Sequence, residues 1–170
     1  MLSGVSFFDL ARKHEQAKPG YYLGAIAGFK MLDFYRLEFE SSYGRAEMDS
    51  TRKIKDVRGH VRSLSFMLNN LLDFKLSCPI RPYFGYGIGY TRTKAQWRGQ
   101  LAHSHLDYDP IRRGFLLSSI SLQFIAGARY RLFEDVDVCL DYRCLLFGMN
   151  KRTHKNLRVN KLGLFINHYF

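Results

Sequence analysis

The stretch RPYFGYGIGY, residues 81–90, decides the fold of this chain. Large apolar or aromatic side chains occupy every second position from Phe84 to Tyr90, and glycines occupy the three positions between them. This period of two is that of a β-strand, in which successive side chains point to opposite faces. Glycine weakens a strand in a soluble sheet but suits a strongly curved wall or a crowded interior. The stretch therefore predicts a curved strand with one bulky face and one nearly empty face.

The same alternation extends over the chain from Tyr21 to the last residue. Outside the polar connections, no ten-residue window has the i, i+3, i+4, i+7 spacing of an amphipathic helix. No run of 18 apolar residues occurs either, which excludes a transmembrane helix. We therefore predict an almost entirely β protein with clear strands at residues 21–31, 35–43, 63–74, 81–90, 120–131, 136–146 and 161–170.

The predicted strands are joined by connections that are alternately short and long. Short turns are expected near residues 32–33, 77–80 and 134–135, and long polar loops at roughly 45–60, 96–114 and 149–160. An up-and-down barrel in an outer membrane has this rhythm, with tight turns at one end and longer loops at the other. Strands of about ten residues also match the tilted span of the hydrocarbon layer.

The two faces of the predicted strands differ in bulk as well as in polarity. Phe, Tyr and Leu form one face, while Gly, Ser, Asn and charged residues form the other. If the bulky face pointed inward, a small barrel would be overfilled with rings; pointing outward, it leaves the small and charged residues to fill a narrow lumen. Charges in such a lumen must form ion pairs. We predict an all-β, antiparallel up-and-down transmembrane β-barrel whose lumen holds a charge network of Arg36, Glu38, Glu40, Arg129, Asp137, Asp141 and Arg143.

The chain is strongly basic, with 26 Lys and Arg against 15 Asp and Glu and a formal net charge of +11. These basic residues concentrate between the predicted strands, which indicates solvated loops and no nucleic-acid-binding face. The three cysteines form no CxxC motif, so neither a disulfide framework nor a zinc site is predicted. Cys139 and Cys144 fall on opposite faces of one strand and cannot pair. The length of 170 residues suits a single domain over residues 1–170.

Three segments of the sequence resemble the eight-stranded outer-membrane β-barrel domain of opacity-like and related surface antigens of Gram-negative bacteria. Residues 81–90 are similar to the family's Pro-Tyr, glycine-alternating strand, and residues 126–143 are similar to its sixth and seventh strands. The resemblance implies eight strands, of which residues 21–170 supply seven, and a location in the bacterial outer membrane. The C-terminus is similar to the assembly signal that the barrel-insertion machinery reads, which here comprises Gly163, Leu164, Ile166 and Phe170.

The first twenty residues are expected to hold a remnant of the first strand and a basic first loop. Val5, Phe7 and Phe8 fit the end of such a strand, and residues 12–18 fit the loop. The N-terminus has no basic n-region, sustained apolar stretch or small-residue cleavage site, so no secretory signal peptide is predicted. We therefore expect the chain to begin inside the first strand. A barrel of only seven strands would leave two unpaired edges in lipid.

The resemblance implies a surface protein with a structural or adhesive role and no reaction chemistry. No catalytic residue, metal or cofactor is predicted. The expected partners are outer-membrane lipid and lipopolysaccharide, the barrel-assembly machinery and host surface molecules. Lys151, Arg152 and Lys155 of the last long loop are expected to contact polyanions. An eight-stranded barrel is filled by its own side chains, so a wide pore is not expected.

Two other functions stay open from the sequence. A lipid A-modifying enzyme on the same barrel would use His and Ser side chains near the outer rim, and the candidates are His60, His103, Ser104 and His105. None of them has an evident carboxylate partner at a fixed spacing, and a polar loop is the simpler interpretation of residues 103–105. A soluble lipid-binding β-barrel would keep the strands and hold an apolar ligand inside, which the charged predicted lumen disfavours.

Overall fold

Eight antiparallel β-strands form one closed barrel, in which each strand pairs with its neighbours in the chain and the last pairs with the first. The computed structural model describes residues 2–9, 19–47, 54–101, 110–133, 136–147 and 157–168, and side chains within 19–47, 59–96, 114, 116–133, 136–147 and 158–166. No helix in this described part is long and apolar enough to cross a membrane. The strands are β1 (Leu2–Asp9), β2 (Gly20–Leu32), β3 (Tyr35–Glu47), β4 (Ile54–Asp73), β5 (Ile80–Leu101), β6 (Pro110–Phe133), β7 (Val136–Phe147) and β8 (Leu157–His168).

Strand β1 closes the barrel. It pairs with β2 from Leu2 to Ser6 and with β8 from Leu2 to Asp9. Both edges that a seven-stranded sheet would leave open are thereby hydrogen-bonded, as a barrel in lipid requires. The predicted remnant of a first strand is confirmed as a strand, whereas the predicted basic loop at residues 12–18 lies outside the described residues.

The outer surface of the wall is apolar. Along β3, buried side chains alternate with exposed or partly exposed ones. Phe39, Ile88 and Phe124, on three different strands, each leave about half of their surface exposed. Apolar side chains on the outside of a closed barrel face acyl chains in a bilayer. Their exposure has no free-energy cost there but would be unfavourable in water. The prediction that the bulky face points outward is confirmed.

One end of the barrel has short connections. Strands β2 and β3 are joined by a turn at Asp33 and Phe34, one residue later than the sequence predicted. Strands β4 and β5 are joined by residues 74–79, and the Phe74 N–H donates to the Pro82 carbonyl at 2.9 Å. The two connections contact each other, since the Lys75 Nζ lies 2.6 Å from Asp33 Oδ2. The predicted turn at residues 134–135 lies outside the described residues.

At the other end, the strands extend further than predicted. Residues 96–101 and 110–114 belong to β5 and β6, not to a loop, and the predicted loop at 45–60 shrinks because β3 reaches Glu47 and β4 starts at Ile54. Strand β8 likewise begins at Leu157, inside the predicted loop at 149–160. The reason is physical: beyond the apolar layer both faces of a strand meet water, so the alternation ends while the hydrogen-bonded ladder continues.

The lumen contains apolar side chains as well as small and charged ones, which corrects the sequence-based expectation. Two apolar clusters are buried inside the barrel. The cluster nearer the long connections consists of Ala46, Val61, Met67, Ala95, Leu145, Phe147 and Val159. The second, most of which lies nearer the turns, consists of Tyr22, Leu71, Tyr83, Ile125, Cys139 and Phe165.

Candidate functional site: the charged lumen

Arg143 of β7 is the largest fully buried side chain among the described residues. Its NH1 donates to Glu40 Oε2 at 2.5 Å. Its Nε and NH2 donate to Asp141 Oδ2 at 2.9 and 2.6 Å. All three residues occupy inward positions because they share the parity of the buried face of their strands. One guanidinium thus bridges two strands that are not neighbours in the sheet.

Glu40 of β3 collects further donors. The amide nitrogens of Gln123 and Asn69 donate to its Oε2 at 2.7 and 3.1 Å. The Lys161 ammonium lies 3.6 Å from Oε1 and donates to Ser42 Oγ at 3.0 Å. Hydrogen bonds to the charged form, together with two cations, compensate the desolvation of a carboxylate that is completely buried.

A second group of charges is built around Asp73, at the end of β4. Its Oδ2 accepts from Arg129 at 3.1 Å, and its Oδ1 lies 3.7 Å from Arg36. Arg36 is also 3.2 Å from Glu38, and Arg129 is 3.6 Å from Asp137. Every carboxylate of this group therefore has a cation within ion-pair distance.

Aromatic rings inside the barrel cover three of the buried cations. A cation above a ring face is attracted by the negative charge density of the π-system, and burial strengthens this attraction. The distances from cation to ring centroid are 5.1 Å for Arg36 over Tyr83, 5.5 Å for Arg143 over Phe165 and 5.3 Å for Lys161 over Tyr22.

The seven charged residues named from the sequence all have buried side chains in the lumen, where the structure brings them into these two groups. Five further polar members were not included in the predicted network. The signal for them was present, because each stands at an inward position of its strand. These five are Ser42, Asn69, Asp73, Gln123 and Lys161.

The arrangement fills and cross-links the barrel. Salt bridges and hydrogen bonds join β3, β4, β6, β7 and β8 across the lumen, so the cross-section at this level is occupied by side chains. Each charge faces a partner of opposite sign, as buried charges require. Within the described residues, no group of three or more His, Cys, Asp or Glu side chains has the geometry of a metal site.

The other residues named from the sequence have various positions. Gly163, Leu164 and Ile166 belong to β8, where Leu164 and Ile166 point outward. The remaining members of the assembly signal, the polyanion site and the polar loop lie outside the described residues; they are Phe170, Lys151, Arg152, Lys155, His103, Ser104 and His105.

His60 is the one candidate of the enzymatic alternative within the described residues. It lies on β4 near the long connections, directly opposite Glu47 of β3 and Gln96 of β5. Glu47 is the nearest carboxylate along the neighbouring strand, and it is paired with His60 through the backbone register alone. No hydrogen bond joins the two side chains in the described part of the chain.

A closed antiparallel barrel with an apolar exterior, a charged lumen and alternately short and long connections defines the class of outer-membrane β-barrel proteins. The chain belongs to the outer membrane protein beta-barrel domain family, whose profile matches residues 2–170. This membership places the protein in the bacterial outer membrane and rules out the soluble lipid-binding barrel. A comparison with curated protein sequences gave no match.

Solved structures share this fold at low sequence identity. Neisserial surface protein A is 20% identical with a TM-score of 0.61, and the match covers 99% of this chain and 95% of that protein. Ail, the attachment invasion locus protein of Yersinia pestis, is 12% identical with a TM-score of 0.51 and coverage of 99% and 98%. The outer membrane enzyme PagL is 14% identical with a TM-score of 0.53 and coverage of 100% of both chains. Surface proteins and an enzyme thus share the barrel.

Proposed function

We propose that this protein is a surface-exposed binding protein with a structural or adhesive role, and that its basic outer end contacts polyanions of the host or of the envelope. The proposal includes no reaction chemistry. The observation that carries it is the lumen crossed by paired charges, in which side chains of five strands are joined to one another. Recognition then falls to the outer surface and the long connections, where binding residues of rigid scaffolds are commonly found.

The distribution of charge supports a polyanionic partner. Among the described residues, four basic and five acidic side chains are buried. Of the 26 basic and 15 acidic residues of the chain, 22 basic and ten acidic ones therefore stand outside this buried set. The positive excess of the chain therefore lies outside this buried set, and a net positive charge attracts polyanions and accelerates their association.

One structure of the same fold has a polyanion bound. The Ail protein was crystallised in complex with the heparin analogue sucrose octasulfate. A sulfated sugar is thus a ligand of at least one protein with this fold. This supports heparin-type sulfated polysaccharide as the probe for the present chain.

The proposal is tested by titrating the chain, refolded in detergent micelles, with a heparin-type polysaccharide and with neutral dextran. The triple variant Lys151→Gln/Arg152→Gln/Lys155→Gln should bind heparin about tenfold more weakly or worse, since three charge-assisted contacts are lost. The matched control is Lys30→Gln/Lys75→Gln/Arg131→Gln, which removes the same charge near the short turns and should leave binding unchanged. Equal binding by parent and loop variant, or equal binding of dextran, would reject the proposal.

The enzymatic alternative has one specific observation in its favour, the position of Glu47 opposite His60. Expression of the chain in a Gram-negative host, followed by mass spectrometry of its lipid A, separates the two functions. We expect an unchanged lipid A mass, because the proposed role involves no bond cleavage. A lipid A that gains or loses an acyl chain with the parent protein, but not with the His60→Ala variant, would establish the enzyme instead.

A further inference from the structure

A row of basic side chains crosses three adjacent strands on the outside of the barrel. Arg45 of β3 is directly opposite Arg62 of β4, and Arg62 is directly opposite Lys94 of β5. Arg92 lies two residues before Lys94 and therefore on the same face. We call Arg45, Arg62, Arg92 and Lys94 the basic row.

The basic row borders the apolar belt on the side of the long connections. Ser63, next to Arg62, is buried in the lumen, whereas Arg62 itself is exposed on the outer face. One step toward the turns, the outward residues are Tyr43 and Leu64, which stand opposite each other and are partly exposed. Long external loops lie on the extracellular side in this class of barrel. The row is therefore at the height where acyl chains of the outer leaflet meet their headgroups.

Within the part of the chain whose side chains are described, the basic row has no acidic partner. Among the described residues, no carboxylate forms an ion pair with any of its four side chains. Glu47, the next outward residue of β3, stands opposite His60 and not opposite a member of the row. Like charges directly opposite each other on neighbouring strands are destabilising. Three cations opposite one another on neighbouring strands therefore favour the binding of an anion from outside the chain.

We propose that the basic row binds the phosphate groups of lipid A, the phosphorylated glycolipid of the outer leaflet. Two arginines side by side offer forked donors that match phosphate oxygens, and each cation near an anionic surface strengthens binding about fivefold. A membrane lipid fits the position better than a soluble polyanion because the row adjoins side chains that contact acyl chains. This wall site is separate from the loop contacts proposed above and does not depend on them.

The test uses the refolded chain in a maltoside detergent, which contains no phosphate. Lipid A is added at increasing mole fraction, and the midpoint of the heat-induced mobility shift gives the apparent affinity, since a ligand of the folded state raises this midpoint. The Arg62→Gln/Lys94→Gln variant should bind lipid A about thirtyfold more weakly than the parent chain. Without lipid A, the variant should be as heat-stable as the parent or more so, because the repulsion between neighbouring cations is relieved.

Arg158 provides the matched control. It is an exposed cation at the same end of the barrel, but on β8, four strands away from β4. The Arg158→Gln variant removes one positive charge, as Arg62→Gln does, and should bind lipid A like the parent. Phosphate-free lipid A, prepared from the same lipid, should raise the heat-shift midpoint of neither variant nor parent.

Three results would overturn the inference. The first is equal loss of affinity in Arg62→Gln and Arg158→Gln, which would mean a general effect of net charge. The second is equal stabilisation by phosphate-free lipid A. The third is lower stability of the double variant in the absence of lipid A, which would assign the row a structural role. Heparin binding by the loop variant is measured independently, so failure of either proposal leaves the other open.

Discussion

Glu40 and Arg143 are 103 residues apart in the chain and form an ion pair of 2.5 Å in which both side chains are completely buried. Glu40 belongs to β3 and Arg143 to β7, so the contact spans the lumen. Removal of one partner leaves the other charge in a low-dielectric interior, and the loss in comparable buried pairs is about 3 to 5 kcal/mol. Loss of either partner should therefore destabilise the barrel strongly.

The Arg143→Met variant should lower the midpoint of urea unfolding in detergent micelles by an amount that corresponds to about 3 to 5 kcal/mol, because Glu40 and Asp141 lose their main cation. The double variant Glu40→Gln/Arg143→Met should recover part of this loss. Exposed ion pairs provide the comparison: Asp33→Asn, which affects the exposed contacts of Asp33 with Lys75 and Lys30, should change the midpoint little. Additive losses in the double variant would mean that the pair is not coupled.

Gly89 should not tolerate even a methyl group. A Cβ atom built there would lie 1.9 Å from the Phe66 carbonyl oxygen, which belongs to the neighbouring backbone and cannot move aside. Gly89→Ala should therefore destabilise the folded barrel by about 1 to 3 kcal/mol or prevent refolding. Gly114→Ala is the control, since its nearest atom is 3.0 Å away. Equal heat-shift midpoints for the two variants would contradict the close contact between Gly89 and the backbone of β4.

The free cysteines report the orientation of the barrel. Cys78 is exposed in the β4–β5 connection, whereas Cys139 is buried in the lumen. In micelles, a water-soluble maleimide should label Cys78 at once and Cys139 only after unfolding. On intact cells, a membrane-impermeant maleimide should not reach Cys78, because short turns face the periplasm. Variants that retain a single cysteine make each assignment unambiguous. Labelling of Cys78 on intact cells would mean that the short turns face the outside of the cell.

Asp33 should titrate below the usual range of an aspartate. The hydrogen bond from Lys75, and then the charges of Lys75 and Lys30, lower the pKa of its carboxyl group. A depressed pKa contributes stability that is present at neutral pH and is lost as the pH falls from about 3.9 through the lowered pKa. NMR titration should find the pKa of Asp33 higher in Lys75→Met than in the parent. An identical pKa in both would mean that the 2.6 Å contact does not persist in solution.

The face of each strand could be predicted from the sequence because parity is a local property. The alternation around Arg36, Glu38 and Glu40 indicates that they share one side of β3, and their burial in the lumen follows once the barrel closes. Which cation meets which carboxylate could not be predicted. The pairing of Glu40 with Arg143 depends on the shear of the closed sheet, which sets the height of β3 relative to β7.

The inward apolar residues and the basic row were missed for related reasons. A simple rule of apolar outward and polar inward assigns Leu145 and Ile125 to no face, although their parity is inward. Arg62 is outward, yet it falls between the predicted loop at 45–60 and the predicted strand at 63–74, because the alternation weakens where the apolar layer ends. Its neighbours Arg45 and Lys94 are distant in sequence, and only the register of three strands brings them together.

The ladder between β5 and β6 is paired without a break from Ile80 opposite Tyr130 to Gln100 opposite Pro110. At the rise per residue of a β-strand, the paired hairpin is roughly 70 Å long. Because such strands are tilted, it reaches a height of roughly 50 Å along the membrane normal, whereas the apolar belt of such barrels is about 25 Å tall. About half of the hairpin therefore extends beyond the bilayer. A peptide inserted between Leu101 and Pro110 would be displayed well above the lipid surface, and its sequence can change without altering the barrel below.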